Sequence, residues 1–134
     1  MSGPGLSKLD FAELTDVGLR REHNEDVSKA LVPLPNGPHA DRGALFVVAD
    51  GMGGLGGGEV ASKSAVDEMI RRFYDADPEP KEIEARLQAS LEAANVYVRE
   101  QAARIGLRRI GTTAAGLVIA PTGDVWVFNV GDSR

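Results

Sequence analysis

Apolar positions in this chain follow two different periods, and the changes between them mark its elements. Ala44-Leu45-Phe46-Val47-Val48-Ala49 is an unbroken apolar run of strand length, closed by the turn signal Asp50-Gly51. It reads as a strand buried on both faces. Leu9–Val17 and Val27–Leu34 read as two further strands flanking the segment Arg20–Asp26. Pro33, Pro35, Gly37 and Pro38 then form a loop that cannot continue a sheet interior. Near the end, Thr112–Ala120 and Val125–Val130 are predicted strands joined by the hairpin signal Pro121-Thr122-Gly123-Asp124. Val125 and Val127 fall on one face, and Trp126, Phe128 and Val130 on the other. Apolar residues on both faces predict a sheet covered on both sides.

Between these strands the period lengthens to that of a helix. A first helix is expected from near Gly58-Glu59, with Ala61, Ala65, Met69, Ile70 and Phe73 on one face. It should stop before Asp75-Ala76-Asp77-Pro78, since the residue before proline disfavours helical backbone. A second is expected from near Pro80, carrying Ile83, Leu87, Leu91, Ala94, Val98, Ala102 and Ile105, and stopped by Gly106. That stripe covers only about three heptads, so a helix laid on a sheet is favoured over a coiled coil. Strands, paired helices, then hairpin strands indicate a layered α+β domain.

Composition changes this picture little. The chain has 134 residues, 43% of them hydrophobic and 26% charged, ordinary values for a globular protein. A formal net charge of −5 disfavours nucleic acid or an anionic membrane surface as partner. No cysteine is present, which removes disulfides, thiolate metal sites and a cysteine nucleophile together. Residues 1–8 are Gly/Pro/Ser-rich, without the apolar stretch of a secretory signal, and are expected to be flexible. A soluble, cytoplasmic protein is the expectation.

Chemistry concentrates where apolar runs end in acids: Glu25-Asp26, Asp50-Gly51 and Gly131-Asp132. Carboxylates are costly to bury unless paired or bound to a cation. Several strands delivering one each to the same sheet edge point to a divalent metal. Asp50 follows a buried strand and precedes glycine, so its carboxylate and the neighbouring carbonyl can face one ion. Mg²⁺ and Mn²⁺ prefer such oxygen ligands. An Asp-Gly turn that holds no metal is the plainer reading of that pair taken alone. Glu25 and Asp26 are adjacent, so on a strand they point to opposite faces. Both serve one site only if the chain bends or one acts through water. A solvated acidic turn is the competing reading.

Four blocks go further than this. Thr15-Asp-Val-Gly-Leu-Arg-Arg-Glu-His-Asn-Glu-Asp26, Asp50-Gly-Met-Gly-Gly54, Gly111-Thr-Thr113 and Asn129-Val-Gly-Asp-Ser-Arg134 resemble, in order, the PPM-type (type 2C) metal-dependent serine/threonine phosphatases. The resemblance implies an α-β-β-α sandwich of four layers, two antiparallel sheets with helices outside. It implies hydrolysis of phosphoserine or phosphothreonine on proteins, with partners among the substrates of a serine/threonine kinase. Two Mg²⁺ or Mn²⁺ ions are implied, with a third more loosely held. Asp50 would bridge metals and Gly51 would give its backbone oxygen. Glu25 would meet metal or metal-bound water, with Asp26 in support, and Asp132 would help hold the third ion. Arg21, four residues before Glu25, stands at the spacing of the family's phosphate-binding arginine. Arg20 is its rival, because neighbouring strand residues alternate faces. Met52 stands where many eukaryotic relatives have histidine, and a thioether cannot donate a proton to a leaving group. The wording Asp-Gly-Met-Gly-Gly is that of the bacterial branch. His23, a lone histidine among polar residues, reads as merely exposed.

In the resembling family the Gly-Asp-Ser-Arg block lies near the middle of the domain. Residues 9–134 are therefore expected to be its N-terminal part, truncated after about half the domain and without at least two aspartate ligands. Open sheet edges and incomplete cover around Trp126 and Phe128 are expected to follow. A non-catalytic binding or regulatory module is the alternative. A remoter one comes from Gly51-Met-Gly-Gly-Leu-Gly56, literally the G-x-G-x-x-G string of dinucleotide-binding units. That fingerprint requires a parallel strand ending in an acid about 20 residues on. Here Asp67 and Glu68 fall inside the predicted helix instead.

Overall fold

The computed structural model describes residues 26–34, 37, 39–53, 56–75, 77–106 and 110–130. The predicted strand Leu9–Val17 lies outside them. Four strands, β1 (Asp26–Leu31), β2 (Ala44–Met52), β3 (Gly111–Ile119) and β4 (Val125–Val130), form one antiparallel sheet in the order β1-β2-β3-β4. Helices α1 (Gly57–Phe73) and α2 (Ile83–Arg104) separate β2 from β3. The α+β class and each predicted element within the described residues are present. The β3–β4 hairpin closes where predicted, with Ala120 N–H donating to Asp124 O at 2.8 Å and Gly123 at φ 93°.

Register decides which residues face the helices. Leu45 pairs with Val118, Val47 with Gly116 and Ala49 with Ala114, and on β3 Gly116 pairs in turn with Phe128. The side chains of Leu45, Val47, Ala49, Ala114, Val118 and Phe128 meet Ala61, Ala65, Val66, Met69 and Phe73 of α1 in the core. Helix α1 begins after Gly56, whose φ of 79° only glycine adopts freely. Glu59 in its first turn and Arg71 and Arg72 in its last complement the helix dipole.

Three expectations are corrected. Residues Val48, Val125 and Val127 are 56%, 52% and 77% exposed, so among the described residues β2 is not buried on both faces and the sheet is covered on one side. The uncovered apolar face is that of Val125 and Val127, whereas Trp126 and Phe128 pack into the core beneath the helices. A continuous apolar run reports strand content but not which face gains a neighbour. Third, α2 lies against α1 rather than flat on the sheet. Its stripe was read correctly, but periodicity identifies an apolar face without naming what covers it. Between α2 and the ends of β3 and β4 a groove of 1010 Å³ remains, lined by Leu91, Val98, Arg99, Ile110, Thr112 and Val130 among others.

The α1–α2 corner is held by polar contacts that the hydrophobic pattern does not reveal. Arg86 is 2% exposed, and its guanidinium donates to the carbonyls of Phe73, Asp75 (2.7 Å), Asp77 (2.9 Å) and Pro80 (3.3 Å). Arg42 reaches the Phe73, Asp75 and Asp77 carbonyls from the other side. Burial, then the nearby charges of Arg42 and Arg72, lower the pKa of Arg86. The Tyr74 hydroxyl donates to Gly43 O at 2.8 Å, and burial pushes its phenol pKa up. This corner lies by Leu31 and Leu45, at the sheet end opposite Asp26 and Asp50.

Candidate metal centre

Strand β2 does not stop at Ala49 as its apolar run suggests. Thr113, Thr112 and Gly111 of β3 pair with Asp50, Gly51 and Met52, so the ladder carries the Asp-Gly pair into regular strand. Alternation then sets direction. Asp50 and Met52 project from the open face with Val48, while Gly51 is buried toward the helices. A turn at Asp50, as expected from the sequence, is thereby replaced by a strand end.

Asp26, the first residue of β1, is the direct cross-strand partner of Asp50. Directly opposed residues share a face with Cβ atoms about 4.5–5.5 Å apart, and like charges placed so repel. Thr113 continues the row on the other side, giving Asp26, Asp50 and Thr113 side by side on the open face. The Asp50 carbonyl oxygen lies 3.2 Å from the Thr112 hydroxyl and 3.5 Å from that of Thr113. The Thr112 hydroxyl is also 2.8 Å from Thr113 O. The two threonines thus brace the backbone that carries Asp50. Two opposed carboxylates and a row of oxygen donors suit a hard divalent cation, which turns their repulsion into attraction.

Of the predicted site residues, the structure brings together Asp26, Asp50 and Gly51. Glu25, Arg20, Arg21, His23 and Asp132 lie outside the described residues. Among the described residues no cluster of three or more metal-ligating side chains occurs. The register adds that Asp26, expected as a supporting group, directly faces Asp50. Residue parity within a strand is visible in sequence, whereas the offset between two strands is not. The role of the Thr112-Thr113 pair was also missed, though hydroxyls beside a strand-end acid were a usable signal. The dinucleotide alternative fails here, because β2 and β3 are antiparallel and Gly51 and Met52 belong to strand. No described helix is long and apolar enough to cross a membrane.

The family model described as Protein phosphatase 2C matches residues 37–134. The serine/threonine phosphatase Stp of Listeria monocytogenes is 36% identical over 127 residues, covering 90% of this chain and 46% of that protein. The crystal structure of the catalytic domain of the serine/threonine phosphatase PstP in complex with two manganese ions superposes with a TM-score of 0.66. It shares 33% identity and covers 89% of this chain and 46% of that one. The Streptococcus agalactiae serine/threonine phosphatase structure gives 0.70 at 31% identity, covering 90% and 48%. The chain spans about half the length of the Listeria and Streptococcus pneumoniae relatives it matches.

Proposed function

The chain belongs to the protein phosphatase 2C family, and from that premise we propose that it contributes the metal-binding edge of a phosphatase acting on phosphoserine and phosphothreonine in proteins. The observation that carries this reading is the Asp26–Asp50 pair, opposed across β1 and β2 on an open sheet face. Its carboxylates, with the Gly51 carbonyl and with Glu25 and Asp132 from beyond the described residues, form the ligand set for two Mg²⁺ or Mn²⁺ ions and a looser third. Bound there, such ions would supply an acidified water as nucleophile and positive charge to offset the phosphoryl oxygens.

The chain's own residues do the rest. Asp50 anchors and orients, its backbone held by Thr112 and Thr113. Arg21 binds phosphoryl oxygens through its planar fork, a match that an ammonium lacks. Phosphoryl transfer depends mainly on such positioning and charge stabilisation. Residues 9–134 form the N-terminal part of a four-layer α-β-β-α domain, in which a second sheet covers the Val48, Val125 and Val127 face. The protein works in the cytoplasm on substrates of a serine/threonine kinase.

The test is hydrolysis of a phosphothreonine peptide by a complete version of this domain with Mn²⁺, with chelator, and by its Asp50→Asn variant. Mn²⁺-dependent turnover, abolished by chelator and nearly abolished in the variant, is expected. Turnover indifferent to metal, or a fully active Asp50→Asn, contradicts the proposal. The other reading is a binding or regulatory module of the same fold. Mn²⁺ binding without turnover would select it.

A further inference from the structure

We propose that two copies of this chain pair in solution through α2, antiparallel, each helix laid along the groove beside the other's. Helix α1 packs against one side of α2, and the groove of 1010 Å³ runs along another. The rim that α2 gives this groove includes Gln88, Glu92, Asn95, Arg99 and Ala102, at steps of four, three, four and three. That is the seam spacing of paired helices. Ala102 is half-buried and the other four are exposed, so the seam faces away from this chain's own core. Behind it the groove is apolar, with Val98 buried and Leu91, Ile110 and Val130 half-buried. A polar rim around an apolar centre is the anatomy of a protein interface.

Charge along the seam selects the occupant. Glu92 and Arg99 stand seven residues apart on one helix, about 10.5 Å, too far to pair with each other. Among the described residues no ion pair engages either of them, and the Glu92 carboxylate accepts a 3.4 Å hydrogen bond from Gln88. A second copy, antiparallel about a two-fold axis at Asn95, brings its own Arg99 within one residue's rise of the height of Glu92, about 1.5 Å. The symmetry repeats the pair, so each interface holds two. Asn95 then faces Asn95 of the second copy, and a side-chain amide both donates and accepts, so the two satisfy each other. Gln88 meets Ala102 of the second copy, a side chain small enough to let the helices close. A parallel pair would set Glu92 against Glu92 and Arg99 against Arg99, so the charges fix the direction too. The pairing lies on the helix side of the sheet and leaves the face of Asp26 and Asp50 free, so it stands apart from the phosphatase reading.

Sedimentation equilibrium of the full 134-residue chain over a concentration series tests this. Wild type should dimerise, and Arg99→Glu and Glu92→Arg should each weaken the dimer about tenfold or more, since both set like charges together. Mixing those two variants should give a heterodimer, because every opposed pair is then opposite in sign. The double exchange Glu92→Arg with Arg99→Glu should return the dissociation constant to within about threefold of wild type for the same reason. A monomeric wild type overturns the inference. So does a dimer that both single reversals leave intact, in which case its loss in Val127→Lys would put the contact on the open sheet face. Single variants that neither mixing nor the double exchange rescues overturn it as well, since a merely misfolded surface is not repaired by a second reversal.

Discussion

Replacing Arg86 by methionine keeps the side chain's length and apolar stem but removes its guanidinium from the α1–α2 corner. Four carbonyls then lose a donor: Phe73, Asp75, Asp77 and Pro80. Hydrogen bonds to charged groups are worth about 1.5–3 kcal/mol each. Three considerations lower the total. The contacts to Asp75, Asp77 and Pro80 are part-buried, so water can replace them. Arg42 already reaches the Phe73, Asp75 and Asp77 carbonyls. Removing a buried charge also recovers part of its desolvation cost. The net loss expected is about 2–3 kcal/mol, read by urea titration with the slope m unchanged. Arg42→Ala alone should cost about 1 kcal/mol. The double variant should lose at least about 0.5 kcal/mol more than the sum, because the two arginines back each other up on shared acceptors. Mn²⁺ affinity of the folded Arg86→Met variant should match wild type, since the corner lies at the far end of the sheet. A loss below about 0.5 kcal/mol, or strictly additive effects, would refute the clamp.

Other consequences can be checked separately. Burial keeps the Tyr74 phenol neutral in the native state beyond the usual phenol value of about 10, while the unfolded chain releases that proton. The resulting stability is fully present below pH 10 and declines as pH rises above it, by up to about 1.4 kcal/mol per unit. Tyr74→Phe should cost about 1 kcal/mol at neutral pH and flatten that alkaline decline, as denaturant titrations at several pH values would show. Gly116→Ala would place a Cβ 1.9 Å from Phe46 O and 2.8 Å from the Phe128 ring, so strand backbone must shift. A loss of about 3 kcal/mol is expected in thermal or urea melts, and a neutral effect would mean the sheet has more room there than described. Arg21→Ala should raise KM for a phosphopeptide far more than it weakens Mn²⁺ binding. A larger effect from Arg20→Ala would reverse the choice between those arginines.

Element identity was legible because it depends on local periodicity. The stripe from Ile83 to Val98 and the Pro121–Asp124 turn each carry their own signal and stand in the structure, whereas Ile105 falls past the end of α2 and is 49% exposed. Partnership was less legible. Sequence alternation separated Val127 from Trp126 but could not tell which side the helices would cover. Nor could it tell that α2 would choose α1. The same gap explains the site. The acids were visible one by one, yet the pairing of Asp26 with Asp50 follows from an inter-strand offset fixed by the whole hairpin. Arg86 was hidden for a different reason. A charged residue on a helical stripe reads as solvated, and only the carbonyls exposed at the end of α1 make its burial favourable.

Asp26 and Asp50 oppose each other across two strands, and the proposed metal centre requires a divalent ion to reconcile them. Thermal melts of wild type and Asp50→Asn, each without metal and with saturating Mn²⁺, test it directly. Without metal the variant should melt higher, since it removes a like-charge pair. With Mn²⁺ the wild type should gain and overtake it, since an ion that binds only the folded state stabilises by mass action. Mn²⁺ raising both melting temperatures equally, or neither, would contradict the assignment of this pair as a metal centre.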